Sequence, residues 1–135
     1  MYIYKRKAQY HETDKMGVIH HSNYVKWMEE ARIEYTESAG IGFKEFESVG
    51  TVSPIIGVSV EYKRPIYFGD EVQIAVSVKK YTGTVLEMAY TFTNIASGEV
   101  CTTGATRNCF VKGGRIVSLK KAEPEVDAIL RSLVE

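Results

Sequence analysis

His11-Glu12-Thr13-Asp14-Lys15-Met16-Gly17-Val18-Ile19-His20-His21-Ser22-Asn23-Tyr24 divides a stretch of period two from a stretch of helical period. Upstream, Tyr2, Tyr4, Arg6, Ala8 and Tyr10 alternate with Ile3, Lys5, Lys7 and Gln9, which predicts a strand with one face turned inward. Downstream, Tyr24, Trp27, Met28, Ala31 and Tyr35 recur at i, i+3, i+4, i+7 and i+11, the apolar stripe of a helix beginning at Asn23. Ser22 or Asn23 is placed to cap its start, Gly40 to end it, and Lys26 and Glu30 are spaced for an ion pair. So broad and aromatic a stripe needs an equally broad surface to pack on.

The remaining sequence supplies that surface. After a short helical or irregular piece, Phe43 to Val49, strand patterns run over Pro54–Arg64, Val72–Lys79 and Leu86–Thr93, and a long last strand over Val100–Lys112. Pro65–Asp70, Thr82-Gly83, Ser97-Gly98 and Gly113-Gly114 carry turn chemistry between them. A short strand at Arg115–Leu119 and a closing helix at Glu123–Val134 complete the order. One strand, one long helix and then a run of strands predicts an α+β fold: a curved antiparallel sheet packed around the Tyr24–Tyr35 stripe. With 135 residues, no repeat and no linker, residues 1–135 are expected to form one domain.

Composition narrows the function. Seventeen Lys and Arg balance seventeen Asp and Glu, which argues against general nucleic-acid binding but leaves room for a local cationic patch. The longest charge-free run, Ser48–Val60, is 13 residues and too short to span a membrane. Met1–Lys7 has no apolar core after its basic residues, so a secretory signal is not expected and the protein is predicted to be cytoplasmic. Cys101 and Cys109 are eight apart in one predicted strand, roughly 26 Å at the strand rise, beyond disulfide reach. They read as small core residues.

The chemistry concentrates in the opening stretch. A helix N-terminus carries unpaired N–H groups and partial positive charge, so it stabilises an anion or a polarised carbonyl oxygen. Gly17 permits close backbone approach, and Asp14 stands near enough to attack a carbonyl carbon held there or to deprotonate a water. Amides near His21 would hold the oxyanion. Asp14 can equally be a turn former with its side chain on a local N–H, and His20 and His21 can be ordinary half-buried residues at a helix start. A metal site from His11, Asp14, His20 and His21 matches no standard zinc spacing, and Trp27, Met28 and Tyr35 suit a core better than a cofactor box. No GxxxxGK[ST], GxGxxG or GxSxG motif occurs, which gives no support to nucleotide hydrolysis, dinucleotide redox chemistry or an α/β-hydrolase.

The pattern Asp14-x-x-Gly17-Val18-x-x-His21-x-Asn23-Tyr24, between a strand and a long helix, resembles the hotdog-fold acyl-CoA thioesterases, in particular the 4-hydroxybenzoyl-CoA thioesterase and Tol-Pal-associated branch. Tyr62-Lys63-Arg64-Pro65 followed by Phe68-Gly69-Asp70-Glu71-Val72 is similar to that family's strand-break-strand segment. The resemblance implies a five-stranded antiparallel sheet wrapped around a central helix, a homodimer or homotetramer, and an active site at the dimer interface. It implies hydrolysis of an acyl-CoA without metal or other cofactor, with Asp14 as nucleophile or general base and His21 at the oxyanion-binding helix start. Gly17, Val18, His20, Asn23 and Tyr24 would contact substrate. Coenzyme A phosphates need local cations, for which Arg64, Lys79, Lys80 and Arg107 are candidates, with Lys63, Lys112 and Arg115 beside them. Tyr35, Phe43, Phe46, Ile55, Ile56 and Val58 would shape the acyl pocket. The rival readings are an acyl-carrier-protein thioesterase, a dehydratase and a non-catalytic acyl-CoA-binding protein.

Overall fold

The computed structural model describes residues 1–135, with every side chain except that of Phe43. Five antiparallel strands form the main sheet: β1 (Tyr2–Lys7), β3 (Ile55–Tyr62), β4 (Glu71–Tyr81), β5 (Val85–Asn94) and β6 (Val100–Cys109), in the order β1-β4-β5-β6-β3. The long helix α1 (Ser22–Ser38) lies on one face. Asn23, Tyr24, Trp27, Met28, Ala31 and Tyr35 are buried on it, the predicted stripe with Asn23 added. They pack on Val72, Ile74, Val76 and Val78 of β4, and on Met88, Tyr90 and Phe92 of β5. The expected α+β fold is therefore the observed one.

Local chemistry sets the boundaries of α1. Gly40 at φ +97° donates its N–H to Glu37 O (3.0 Å), and Ile41 N–H donates to Thr36 O (2.8 Å), a glycine-dependent helix stop. At the other end the cap comes from neither predicted residue. Ser22 N–H donates to His20 Nδ1 (3.1 Å), while Asn23 Nδ2 donates to Glu12 O (2.9 Å). The Lys26–Glu30 pair does not form; Glu30 Oε1 instead lies 3.0 Å from Arg6 Nε and accepts from Tyr4 OH at 2.7 Å. A partner fixed on β1 costs less side-chain entropy to hold than an exposed lysine.

Three expectations change. Tyr10 is 75% exposed, because the alternation ends at Ala8 where the chain turns through Tyr10–Glu12. The predicted strand Val100–Lys112 breaks at Phe110, and β7 (Val111–Lys112) leaves the main sheet to pair with β2 (Thr51–Val52) and β8 (Arg115–Ile116). Strands of two residues carry no readable period, which hid this second small sheet. Beyond Ile116, Leu119 opens the short helix α3 (Leu119–Ala122) rather than ending a strand. Helix α2 spans Phe43–Ser48 and α4 spans Pro124–Leu133. Cys101 and Cys109 are both buried and free.

Gly104 on β6 packs against Met28 of α1. A Cβ built there would lie 2.8 Å from Met28 Sδ and 3.2 Å from the Ser59 carbonyl oxygen. We predict that Gly104→Ala costs about 1–3 kcal/mol of stability through overpacking, read as a lower urea midpoint at unchanged slope. An unchanged midpoint would mean that Met28 moves aside freely.

Candidate active site

The turn preceding α1 is closed by its own backbone. Asp14 N–H donates to Val18 O (2.8 Å), Gly17 N–H to Asp14 O (3.1 Å), and Asp14 Oδ1 accepts from Met16 N–H (2.8 Å). Gly17 takes φ +81°, the left-handed region that a Cβ penalises. Thr13 pairs with Ile19 across the turn, and Val18 pairs with Tyr67. Asp14 is thus a turn former through Oδ1, while Oδ2 takes no hydrogen bond among the described residues.

The chain then enters α1 with its amides unequally used. Those of Ser22, Asn23 and Tyr24 are taken by His20 Nδ1, His20 O and His21 O at 3.1, 3.0 and 3.3 Å. The N–H of His21 has no acceptor among the described residues. It stands at the positive end of a 17-residue helix, where a polarised carbonyl oxygen is favoured.

Beneath this loop sits Glu12, 6% exposed. Its Oε1 accepts from Arg6 Nη1 (2.7 Å) and Gln9 N–H (2.9 Å), and its Oε2 accepts from Trp27 Nε1 (2.8 Å). Its carbonyl accepts from His20 N–H (2.8 Å) and Asn23 Nδ2. One residue therefore ties β1, the loop and α1 together. Burial pushes its carboxyl upward, but the bonds from Arg6, Trp27 and Gln9 outweigh that and hold it below the ordinary value of 4.5. The sequence signal for this role was weak, since Glu12 reads as one more acid in a polar segment.

Asp14, Val18, His21 and Tyr24 line one cleft of about 350 Å³, together with Tyr62 and Pro65. Lys63 and Arg64 complete its rim. Tyr62 was not among the expected site residues; its ring sits edge-on to Tyr24 at 4.9 Å, and its hydroxyl lies 3.4 Å from His21 O. Burial raises the Tyr24 phenol to about 12, so it stays protonated. The His20 ring stacks on His21 at 4.1 Å and caps the helix rather than lining the cleft. Asn23 is buried on Glu12, and Gly17 shapes the turn from outside. Among the described residues no three His, Cys, Asp or Glu side chains gather as a metal-binding group.

The expected cations separate. Arg64 is at the cleft, its Nε 3.2 Å from Glu99 Oε2. Lys79, Lys80 and Arg107 do not join it. Lys80 pairs across Glu87 to Arg107, which faces Gly57, whereas the cleft lies beside Tyr62, opposite Thr102. The five residues from Thr102 to Arg107 put these cations roughly 17 Å along the strand. Nothing in a lysine or arginine's own sequence context reports that distance.

A second cavity, of about 230 Å³, lies between the C-terminal half of α1, α2, the sheet and α4. Phe46 and Ile55 line it alongside Ile33, Leu86 and Phe110. Tyr35 is instead in the core, stacked on Tyr2, and Ile56 and Val58 stand half exposed on β3. Phe43 lies outside the described side chains.

A long helix lies against a five-stranded antiparallel sheet, and Asp14 and His21 line one cleft at the start of that helix. Residues 8–130 match the model of the thioesterase-like superfamily, and the chain belongs to that family. The thioester-hydrolase class expected from the sequence agrees with it. A protein of Aquifex aeolicus named as an esterase is 32% identical over 93% of this chain and 96% of its own length. A crystal structure of a DHNA-CoA thioesterase from Staphylococcus aureus superposes with TM-score 0.93 and 32% identity, covering 96% of this chain and 88% of that one. A 1,4-dihydroxy-2-naphthoyl-CoA hydrolase of Nostoc punctiforme is 30% identical over 68% of this chain and 63% of its length. Among the described residues no helix is long and apolar enough to cross a membrane.

Proposed function

We propose that this protein hydrolyses an acyl-CoA to the free acid and coenzyme A, as one domain acting in the cytoplasm. The observation that carries the reading is the pairing of Asp14 with the free His21 amide in one cleft. The thioester carbonyl oxygen accepts from His21 N–H, and charge developing on it is met by the helix end. Asp14 Oδ2 either attacks the carbonyl carbon, forming an anhydride as the C–S bond breaks, or takes a proton from an attacking water. In the first route water then cleaves the anhydride and restores the carboxylate. Either way the thiolate leaves and is protonated from solvent. The His21 ring walls the site, Val18 and Tyr24 contact the substrate, and Lys63 and Arg64 meet the coenzyme phosphates. The Asp14–Tyr24 motif supports placement in the 4-hydroxybenzoyl-CoA and Tol-Pal-associated branch.

The site is proposed to be completed by a second copy. β3 is an edge strand, and its Ile56, Val58 and Tyr62 are 48, 45 and 53% exposed, an apolar edge of the kind that pairs with another strand. Antiparallel pairing with the same strand of a second copy sets the C-terminal end of one β3 beside the N-terminal end of the other. The Asp14 cleft of one chain then faces the apolar cavity of the other, which takes the acyl group. Thiol release from a panel of aryl, short and long acyl-CoA thioesters tests the activity. Exclusive use of acyl-carrier-protein thioesters would move the assignment to that substrate, and binding without release would make the protein a non-catalytic acyl-CoA binder. Val58→Lys is expected to convert the oligomer to monomer by sedimentation velocity and to abolish activity with it; a fully active monomer would refute the shared site.

A further inference from the structure

The 230 Å³ cavity has a mouth and an end. Glu29 and Ile55, both exposed, stand at the mouth beside the β3 edge. Leu86, Phe110 and Leu130, only 4, 3 and 2% exposed, form the end, with the half-buried Val126 beside them. Val126 and Leu130 belong to α4, which is fixed in place. Tyr81 OH donates to Asp127 Oδ1 (2.6 Å) within the helix, Arg131 Nε braces Asp127 Oδ2 (2.9 Å), and beyond the helix Glu135 N–H donates to Val78 O (3.0 Å). The polar side chains of the lining are turned to the chain itself. Thr36 Oγ1 donates to Arg32 O (3.1 Å), Asn108 Nδ2 to Ser53 O (3.2 Å) and Arg32 Nη1 to Tyr90 OH (3.2 Å). What is left for a ligand is an apolar end of fixed depth. An engineered apolar cavity of about 150 Å³ holds benzene, about 25 Å³ for each carbon. By that measure 230 Å³ takes about nine carbons.

We infer that α4 is a ruler for the acyl group: the protein selects unsubstituted aliphatic acyl thioesters of about eight to ten carbons, and Leu130 and Val126 set the limit. This rests on the reading above that the cavity receives the acyl group. Each methylene added up to the limit leaves water for apolar surroundings and tightens binding about fourfold. The next ones meet Leu130, whose buried position on an anchored helix does not yield, and overpacking reverses the gain. A hydroxyl on the acyl group would lose its water there without finding a partner.

The test is calorimetric titration of the wild-type protein with non-hydrolysable thioether analogues of butyryl-, hexanoyl-, octanoyl-, decanoyl-, dodecanoyl- and tetradecanoyl-CoA, and of para-hydroxybenzoyl-CoA. Affinity is expected to climb from butyryl to an optimum at octanoyl or decanoyl and to fall about tenfold or more by tetradecanoyl. Leu130→Ala opens the end wall and should move the optimum about two carbons longer. Val126→Phe, at a half-buried position, should move it about two carbons shorter and serves where the alanine variant does not fold. Loss of stability alone does not shift the position of an optimum. Affinity that is flat or still rising at tetradecanoyl, an optimum that neither substitution moves, or tighter binding of the para-hydroxybenzoyl analogue than of every aliphatic one would overturn the assignment. Parallel thiol-release assays with the true thioesters keep the two readings apart. A binding optimum without cleavage of any thioester sinks the thioesterase and leaves the ruler standing, whereas cleavage without a length optimum does the reverse. Binding of no analogue at all overturns both.

Discussion

Asp14→Asn is expected to lower thioester turnover by about a thousandfold while leaving the fold intact. The substitution is clean because the two carboxylate oxygens are used differently. Oδ1 accepts from Met16 N–H and closes the turn, and the amide oxygen of asparagine can do the same. Oδ2 carries the chemistry, and an NH₂ group in its place neither attacks a carbonyl nor takes a proton from water. Steady-state thiol release, with circular dichroism as the control on folding, reads both halves. Near-normal turnover would remove Asp14 from the mechanism and reduce it to the turn former that its local geometry already makes it.

The second large effect concerns stability. Glu12→Gln should destabilise the fold by about 3 kcal/mol, since it removes the buried charge that meets Arg6 Nη1 and turns an NH₂ group against a donor, while Glu30 keeps only its contact with Arg6 Nε. Arg6 and Glu12 have side chains only 16 and 7% exposed. All three side-chain and turn contacts of the Glu12 carboxylate are from donors, so the glutamine NH₂ must face one of them. The sign of the pH dependence follows from the lowered carboxyl pKa. The stabilisation is complete above the unfolded value near 4.5 and is lost as pH falls through the lower folded value. Urea midpoints between neutral pH and pH 3 should therefore drop more steeply for the wild type than for Glu12→Gln. Parallel slopes would show that Glu12 does not dominate the acid response.

The helix, the sheet and the cleft loop were legible in the sequence because each has a local signal. The Tyr24–Tyr35 stripe, the alternation along β4 and β5, and the Asp14–Tyr24 spacing all report themselves within a few residues. What escaped depends on partners distant in the chain. Tyr62 reaches the cleft only because β3 ends beside α1. Lys79, Lys80 and Arg107 stand away from this chain's own cleft through strand register. That His20 caps the helix and Asn23 anchors the loop was not legible, because polar residues at a helix start look alike whether they face substrate or backbone.

The strand order also bears on how the molecule assembles. β4, β5 and β6 are sequential neighbours joined by short turns, whereas β1 and β3 flank them from far along the chain. Loop-closure entropy favours the central meander forming first and the two margins docking afterwards. The Asp14 loop follows one marginal strand, and the Tyr62–Arg64 wall ends the other. The cleft is therefore a late product of folding, and the chemistry sits where the chain opens locally at least cost to the rest.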